Sequence, residues 1–418
     1  MLAGPLTLSL LVMGAWLASA PPLRALGAGA APLARLRLPS AYLALAPYCD
    51  VLDTLSLMSV RQHIALLATV LVAYAAWRWL RRDPTPRHPR AILAVESARG
   101  TALLGAIVAV YALGALAPRP MAALELFAAD ELAIDFHSHT QASWDGRRTF
   151  TAERNRAWHR EAGFDATYIS DHGTIAGVIA GQAGNPSRAG DGTVILPATE
   201  VRCIGQHVVV LGATAEDTTA DCAQRSPMTT HPLSGAWRDD ARIALLTIPG
   251  ELENAPALPA VQAIEVADGA PRAFDQMVRD ERLLQHIADN AGLARVSGSN
   301  IHGWGRTATA WSVMSIDDWR AMSPHALDVA IRRRLYVAHG GAVQVIERRR
   351  PDPGASALAL AATVPVVVWS MLTSLSGAER LVWLCWIWTA WAIVALVRRR
   401  RAYSEPRAVP VPVLSRAR

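Results

Sequence analysis

The hydrophobic pattern divides the chain into a largely apolar first third, a central part built of short apolar and polar blocks, and an apolar end. A helix needs about 20 apolar residues to cross a bilayer. Runs close to this length predict about three spans in an N-terminal membrane region, 1–129, and a transmembrane helix pair in a C-terminal region, 348–400. The five predicted spans are 1–23, 63–80, 100–116, 356–375 and 381–397. The remaining residues, 401–418, are rich in proline and arginine, which predicts a disordered basic tail.

One further apolar stretch, 41–60, contains two acids, Asp50 and Asp53. Charged side chains are costly where a helix faces lipid. This stretch is therefore predicted to lie at the membrane interface or to pack inside a helix bundle.

The central part, 130–347, alternates short apolar strands with helical stretches such as TAERNRAWHREAG. This alternation predicts an α/β domain with largely parallel strands. Seven strand candidates also fit a closed or distorted barrel. These candidates read LAIDFH, DATYISD, TVILPATEV, HVVVLG, IALLTIP, AIEVAD and ARVSGSN.

Composition supports the membrane regions and narrows the chemistry. Hydrophobic residues make up 52% of the chain, and the basic residues are all arginine. The absence of lysine excludes a P-loop lysine and a Schiff-base lysine. The central part is acidic, with 27 acids and 19 arginines between Pro120 and Ile346, while basic residues crowd the ends of the apolar runs. We therefore expect a lipid bilayer rather than nucleic acid as the large partner.

Polar residues recur at the ends of the predicted strands, where catalytic groups gather in α/β folds. His137 and His139 are two positions apart on one strand, so both side chains can face a single metal ion. A lone histidine at a strand end is usually structural, but the recurrence of histidines and acids favours a metal centre. Imidazole and carboxylate ligands suit Zn, Mn or Fe. The recurring residues are His137, His139, Asp171, His172, Glu200, His207, Glu265, Asn300 and His302.

The series DFHSHT…SWDG, ISDHG, ATEV, QHVVVLG and SGSNIHGWG resembles the polymerase and histidinol phosphatase (PHP) family of metal-dependent hydrolases. The resemblance covers the central domain and none of the membrane segments. It implies a distorted seven-stranded β/α barrel, here flanked by transmembrane helices, that holds two or three divalent metal ions. It also implies cleavage of phosphoesters.

The resemblance also implies a set of ligands. His137 and His139 would bind the first metal, Glu200 would bridge the first and second metals, and His207 would bind the second. Asp145, His172 and His302 would form the third site, and Asn300 stands where the family has an aspartate that ligates the first metal. The predicted catalytic residues are Asp145, His172 and Glu200. Asp135 and Asp171 are expected to orient the neighbouring histidines.

Two positions depart from the family pattern. Ile248 stands before Pro249 where a histidine ligand of the second metal is usual, and Asn300 is neutral where aspartate is usual. The site is therefore expected to hold two ions, or to load a metal weakly. His231 is one candidate replacement for the missing ligand.

These features predict a membrane-anchored phosphoesterase that acts on a small phosphorylated molecule through a metal-activated water. Arg147 and Arg148 are candidates for binding the substrate phosphate, with a solvated helix start as the alternative. Hydrolysis of a non-phosphate ester or amide by the same metal centre is a second hypothesis. A degenerate metal-binding module that senses rather than catalyses is a third.

The chain is predicted to be an integral protein of a bacterial cytoplasmic membrane. Excess arginine marks the cytoplasmic side of membrane helices. The runs 348–350 and 398–401 favour a cytoplasmic domain and tail, which two C-terminal spans would place on one side, whereas the arginines between 81 and 99 favour the reverse. We favour the cytoplasmic domain on the sequence alone.

Overall fold

The computed structural model describes residues 2–26, 34–81, 89–203, 206–219, 238–247, 261–272, 292–338, 341–351 and 356–404. In this part of the chain, helices from both ends pack beside one mixed α/β unit. The helices are α1 (Ala3–Leu17), α2 (Ser40–Ala44), α3 (Ala46–Ser56), α4 (Val60–Leu80), α5 (Pro89–Leu116), α6 (Ala152–Ala162), α7 (Ala176–Gln182), α8 (Pro324–Ala338), α9 (Ala357–Ala361), α10 (Thr363–Ser374) and α11 (Gly377–Ser404).

Every one of the seven predicted strand segments forms a strand. The strands are β1 (Leu23–Leu26), β2 (Ala34–Arg37), β3 (Ala123–Leu126), β4 (Glu131–Ser138), β5 (Ala166–Ile169), β6 (Val194–Cys203), β7 (Gln206–Leu211), β8 (Ile243–Leu246), β9 (Ala263–Asp268), β10 (Ala294–Gly298), β11 (Ala310–Ser315) and β12 (Gln344–Arg348). Ten of them form one sheet in the order β1-β12-β11-β4-β5-β6-β7-β8-β9-β10. The predicted count of seven is therefore not confirmed for the sheet as a whole.

The sheet is mixed rather than largely parallel. Strands β4, β5 and β6 are parallel, as are β8, β9 and β10. The middle strand β7 is antiparallel to both neighbours, and β11 is antiparallel to β4. A parallel bridge between Ser138 and Ile301 brings the chain beyond β10 back to the end of β4. The sheet thus curls towards a barrel, with the ends of β4 and β10 side by side.

Apolar residues of the central strands form the core of this sheet. All four residues of β5 and all four of β8 are buried, as expected for strands covered on both faces. The pairing of β4 with β5 is irregular between Asp135 and Ser138. Such irregularities redirect side chains near functional sites. Here the irregularity coincides with His137, on the strand that carries both predicted metal-binding histidines.

The N-terminal region, before the predicted domain limit at residue 130, contributes a strand to the sheet. Strand β1 pairs with β12 along the edge of the ten-stranded sheet. Strands β2 and β3 form a separate two-stranded sheet. The membrane region and the α/β unit therefore share backbone hydrogen bonds rather than meeting only through a linker.

Three helices in the described residues are long and apolar enough to cross a membrane. They are Val60–Leu80, Leu93–Leu116 and Gly377–Arg400. Helices α1 and α10 have 15 and 12 residues, so they fall short of the bilayer thickness at 1.5 Å per residue. They lie in two of the five predicted spans, 1–23 and 356–375. The second of these also contains α9, which is separated from α10 by one residue, so the number of crossings stays a prediction.

The stretch 41–60 packs inside the protein, as its two acids predict. Asp53 is buried and receives hydrogen bonds from Arg119 and Thr307 at 2.8 Å each, and from Arg348 at 2.6 Å. The hydroxyl of Tyr42 donates to both Asp50 and Asp53 at 3.0 Å. This cluster joins helix α3 to the end of α5 and to the sheet strand β12.

Candidate metal centre

His137 and His139 bring two imidazole nitrogens to one point, as their spacing on β4 predicts. Their Nε2 atoms are 3.0 Å apart. Oε2 of Glu200 lies 3.1 Å from Nε2 of His137 and 3.3 Å from Nε2 of His139. All three side chains are buried. We call these three residues the inner group.

Glu200 connects the inner group to His207 through the hairpin of β6 and β7. While Oε2 faces the two histidines of β4, Oε1 lies 2.6 Å from Nδ1 of His207. Nδ1 of His172 is 3.4 Å from Oε2 of the same carboxylate. His172, Glu200 and His207 form the bridged group. Oε2 thus faces three imidazoles, and Oε1 faces the imidazole of His207.

A third set of ligand atoms lies towards the surface. Oδ2 of Asp145 is 3.3 Å from Nε2 of His172 and 3.2 Å from Nε2 of His302. His139 stacks on His302 with ring centroids 4.1 Å apart. Ser143 donates to Asp145 at 2.7 Å and fixes its carboxylate. His139, Asp145, His172 and His302 form the outer group.

Asn300 lies beside the inner group, but its amide points to another acid. Its backbone has a φ of 47°, which is uncommon outside glycine, and its N–H donates to the carbonyl oxygen of His137 at 2.8 Å. Its Nδ2 donates to Oδ2 of Asp268 at 3.1 Å. The structure therefore brings seven of the eight predicted ligands into the three groups and places Asn300 at their edge.

Two acids that the sequence analysis leaves without a ligand role lie at His137. Oε2 of Glu265 is 3.0 Å from Nδ1 of His137, and Asp268 completes a further cluster with them. Both acids are on β9, in the segment AIEVAD, and both are buried. In the sequence, the sign that these two residues belong to the site is that both are acids in an otherwise apolar strand. They place carboxylates beside the inner group, where Asn300 has none.

Asp135 and Asp171 bond the backbone near the ligand histidines, and Oδ2 of Asp135 also lies 2.6 Å from Nε2 of His159, which belongs to none of the three groups. Oδ1 of Asp135 accepts hydrogen bonds from the backbone N–H groups of His137 and Ser299. Asp171 accepts from the N–H and the hydroxyl of Thr140 at 2.6 and 2.7 Å. Instead of bonding the rings of the ligand histidines, the two carboxylates hold the backbone on either side of His139.

The electrostatics of the buried groups favour a cation. Burial lowers the pKa of His139 to about 3, so its imidazole is neutral and keeps a free lone pair. Burial also lowers the pKa of His137, but the charges of Glu265 and Glu200 outweigh it and raise that pKa well above its usual value. Burial raises the pKa of Glu265 to about 8. Glu265 is therefore fully ionised at neutral pH only when a positive charge lies beside it, which a bound cation supplies.

The donor set fits a divalent metal. All ligand atoms in the three groups are imidazole nitrogens or carboxylate oxygens, which suit Zn, Mn and Fe. Among the described residues, the buried atoms Nδ1 of His139 and Oε1 of Glu265 have no hydrogen-bond partner. Such atoms are costly unless a ligand satisfies them. Ile248 and His231 lie outside the described residues, so the completeness of the bridged group stays a prediction.

Two tryptophans and an arginine lie around the outer group. Trp144 is 77% exposed and its ring stacks against His172, with centroids 5.7 Å apart. The guanidinium of Arg147 lies 5.2 Å from the ring centroid of Trp304. Arg147 and Arg148 belong to a turn before α6, so neither begins a helix, and Arg148 is exposed. Of the two arginines, Arg147 is closer to the metal centre through its backbone hydrogen bond with His302.

Comparisons with known proteins show only distant likenesses. No protein-family model and no curated protein matches the chain. PsfC from Pseudomonas syringae is similar over 58% of this chain and 98% of its own, at 15% identity and a TM-score of 0.36. A Bifidobacterium adolescentis protein described as a candidate metal-dependent phosphoesterase is similar over 48% of this chain and 96% of its own, at 16% identity and a TM-score of 0.29.

A lesion-specific endonuclease from Pyrococcus furiosus is similar over 51% of this chain and 57% of its own, at 11% identity and a TM-score of 0.33. Likenesses this distant say nothing about the reaction or the substrate of this chain. The functional conclusion rests on the geometry of the metal centre.

Proposed function

We propose that the chain is a membrane-anchored, metal-dependent hydrolase that cleaves phosphoesters. The observation that supports this most directly is the position of Glu200. One oxygen of its carboxylate faces His137 and His139, and the other faces His207. A buried carboxylate whose two oxygens face different imidazoles is suited to bridging two metal ions.

The residues divide into those that hold the metals and those that meet the substrate. The inner and bridged groups are buried or half-buried and would hold two ions. Divalent ions bound there would supply a water of lowered pKa and neutralise charge on the phosphoryl oxygens. Asp145, His172 and His302 of the outer group and His207 of the bridged group are partly exposed, so a substrate can reach the centre at these side chains.

The residues near the outer group add recognition of an anion. Burial raises the pKa of Asp145, but the hydrogen bond from Ser143 and the nearby His302 and His172 lower it overall, so this carboxylate stays ionised. The guanidinium of Arg147 donates to the carbonyl oxygen of Gly303, next to His302, and guanidinium groups pair well with phosphate oxygens. We assign to Arg147 the binding of the substrate phosphate.

A second candidate function is a metal-binding module without turnover. The observation that favours it is Asn300, whose amide is bonded to Asp268 instead of presenting a carboxylate to the inner group. Glu265 and Asp268 weigh against this alternative, because they restore negative charge beside His137. Among the described residues of this site, no feature specifically favours hydrolysis of a carboxylic ester or amide.

The first prediction tests the reaction and the ligands together. The full-length protein, purified in detergent and supplied with Mn or Zn, is expected to bind at least one metal per chain and to hydrolyse bis(4-nitrophenyl) phosphate. The double variant His137→Ala and His139→Ala removes two of the three inner ligands, so it should lose both metal and activity. Metal content by elemental analysis and release of 4-nitrophenol are the measurements.

A matched control for this variant is His325→Ala, because His325 is exposed on α8 and belongs to none of the three groups. It should keep full activity. Metal binding without turnover of the phosphodiester or of 4-nitrophenyl acetate would favour the sensing module. Hydrolysis that survives the double substitution would contradict the assigned site.

A further inference from the structure

We propose that the substrate is an amphiphilic phosphoester of the lipid bilayer, with its phosphate at the metal centre and its hydrocarbon chain in a cavity beside the membrane helices. This inference rests on the proposed phosphoesterase function and narrows its substrate class. It follows from the shape of one cavity, from the helices that line it and from the side chains at its mouth.

The cavity joins the metal centre to the membrane region. Its volume is about 550 Å³. Sites that bind small molecules usually enclose ~300–1,000 Å³. One end is lined by Asp145, Asn300 and His302. The other end is lined by apolar or small residues of α3 and α5, namely Leu52, Leu55, Val110, Gly114 and Ala115. A polar group at the metal centre and an apolar chain at the helices would both find matching surroundings.

The cavity lies where two candidate membrane helices meet the α/β unit. His63, in the first turn of α4, and Tyr111, near the end of α5, both line it, and His63 Nδ1 is 2.8 Å from the Tyr111 hydroxyl. Helix α4 begins and helix α5 ends on this side. A lipid could therefore move its headgroup to the metal centre while its chain stays in apolar surroundings, which avoids the cost of exposing it to water.

The loop that carries the ligand His302 is bonded directly to the membrane helix. The N–H of Gly305 donates to the carbonyl oxygen of Ala115, at the end of α5, at 3.0 Å. Gly305 has a φ of 80°, a conformation that side chains other than glycine rarely adopt. Close by, Arg119 pairs with the buried Asp53 of α3. The walls of the cavity thus belong to one hydrogen-bonded unit.

The mouth of the cavity has the side chains of a membrane interface. Trp304 lines the cavity and is half exposed, and Arg147 lies over its ring. Tryptophan is enriched at the level of lipid headgroups. Arginine at the same level can bind a phosphodiester group. Both therefore match the headgroup of a phospholipid better than they match a fully water-soluble substrate.

The test compares two phosphodiesters that differ only in chain length, hexadecyl 4-nitrophenyl phosphate and ethyl 4-nitrophenyl phosphate. The full-length protein is reconstituted in phosphatidylcholine vesicles, and kcat/KM is measured for both esters. Val110→Trp fills the apolar end of the cavity. We expect kcat/KM of this variant for the hexadecyl ester to fall about tenfold, because the ester would lose the burial of about two methylene groups. The kcat/KM for the ethyl ester should stay unchanged.

The matched control is Val108→Trp on the same helix, where Val108 is 59% exposed and is not part of the cavity lining. It should leave kcat/KM unchanged for both esters. This control separates the filling of the cavity from a change in how the esters partition into the membrane. If Val110→Trp has no effect, or lowers kcat/KM equally for both esters, the lipid inference is overturned while the phosphoesterase function stands. If the unmodified protein hydrolyses neither ester, the proposed function itself fails and the lipid inference fails with it.

Discussion

Glu265 shows how a single buried acid can govern a metal ligand. It lies 3.0 Å from Nδ1 of His137, on the opposite side of the ring from the inner group. A carboxylate in this position holds the ring of a ligand histidine in one orientation and makes the ligating nitrogen more basic. Glu265 therefore acts through His137 rather than on a substrate.

The second prediction follows from this contact. Glu265→Gln keeps the shape of the side chain but removes its charge, so metal affinity should fall by about 10–100-fold, the usual effect of losing such a partner. Metal titration of the metal-stripped protein, followed by activity, measures it. Glu153→Gln is the control, because Glu153 is a largely exposed acid on α6.

Activity of the Glu265→Gln variant should return when excess metal is added. A variant that fails to recover at saturating metal would point to a general loss of structure. An unchanged metal affinity would show that Glu265 does not support the ligand.

At the scale of elements, the short helix α3 joins the membrane region to the sheet through one buried acid. Asp53 receives hydrogen bonds from Arg119, which follows α5, and from Arg348 on β12. It receives a third from Thr307, which lies between β10 and β11. Removing one partner from a buried ion cluster leaves the remaining charges without compensation. Asp53 thus determines how α3, α5 and the sheet fit together.

The third prediction concerns this cluster. Asp53→Ala should destabilise the folded protein by about 3–5 kcal/mol, because Arg119 and Arg348 would stay buried without their acid. Thermal unfolding of the full-length protein in detergent should show a clearly lower midpoint. Asp317→Ala, at an exposed position after β11, should leave the midpoint unchanged. Equal midpoints for the two variants would mean that the cluster does not hold the elements together.

At the scale of the whole molecule, three helices of the described residues are long and apolar enough to cross a membrane, and they allow an orientation opposite to the one that the sequence favours. If α11 is the one crossing after the α/β unit, its C-terminal end would lie on the other side of the membrane from the unit. The C-terminal end of α4 and the N-terminal end of α5 would likewise be one crossing away from the unit. The arginines between 81 and 99 and those at 398–401 then share one side, and the positive-inside rule favours a cytoplasmic location for both.

The fourth prediction is therefore that the α/β unit faces away from the cytoplasm. In a variant whose native cysteines are replaced by serine, Ser187→Cys, at an exposed site of the unit, should react with a membrane-impermeant maleimide in intact cells. Arg87→Cys should react only after the cells are opened. The opposite pattern would restore the cytoplasmic orientation that the sequence alone favours.

The local part of the metal centre could be read from the sequence. His137 and His139 share a face because side chains alternate along a strand, and this periodicity needs no knowledge of the rest of the fold. The seven strand segments could be read for a similar reason, since each is a short apolar block between polar ones. The contribution of β1 to the sheet could not, because its pairing with β12 joins residues more than 300 positions apart.

Tertiary structure alone decided which distant groups meet. Glu265 reaches His137 only because the sheet curls and brings the ends of β4, β9 and β10 together, and Asp268 reaches Asn300 for the same reason. The cavity behind His302 exists only because α3 and α5 are fixed against the loop beyond β10. Apolar composition was sufficient to predict helices long and apolar enough to cross a membrane, but the length of each helix depends on where the packed chain ends it. The local pattern therefore identified residues that can bind a metal, and the packing of the elements decided which of them lie close enough together to share one.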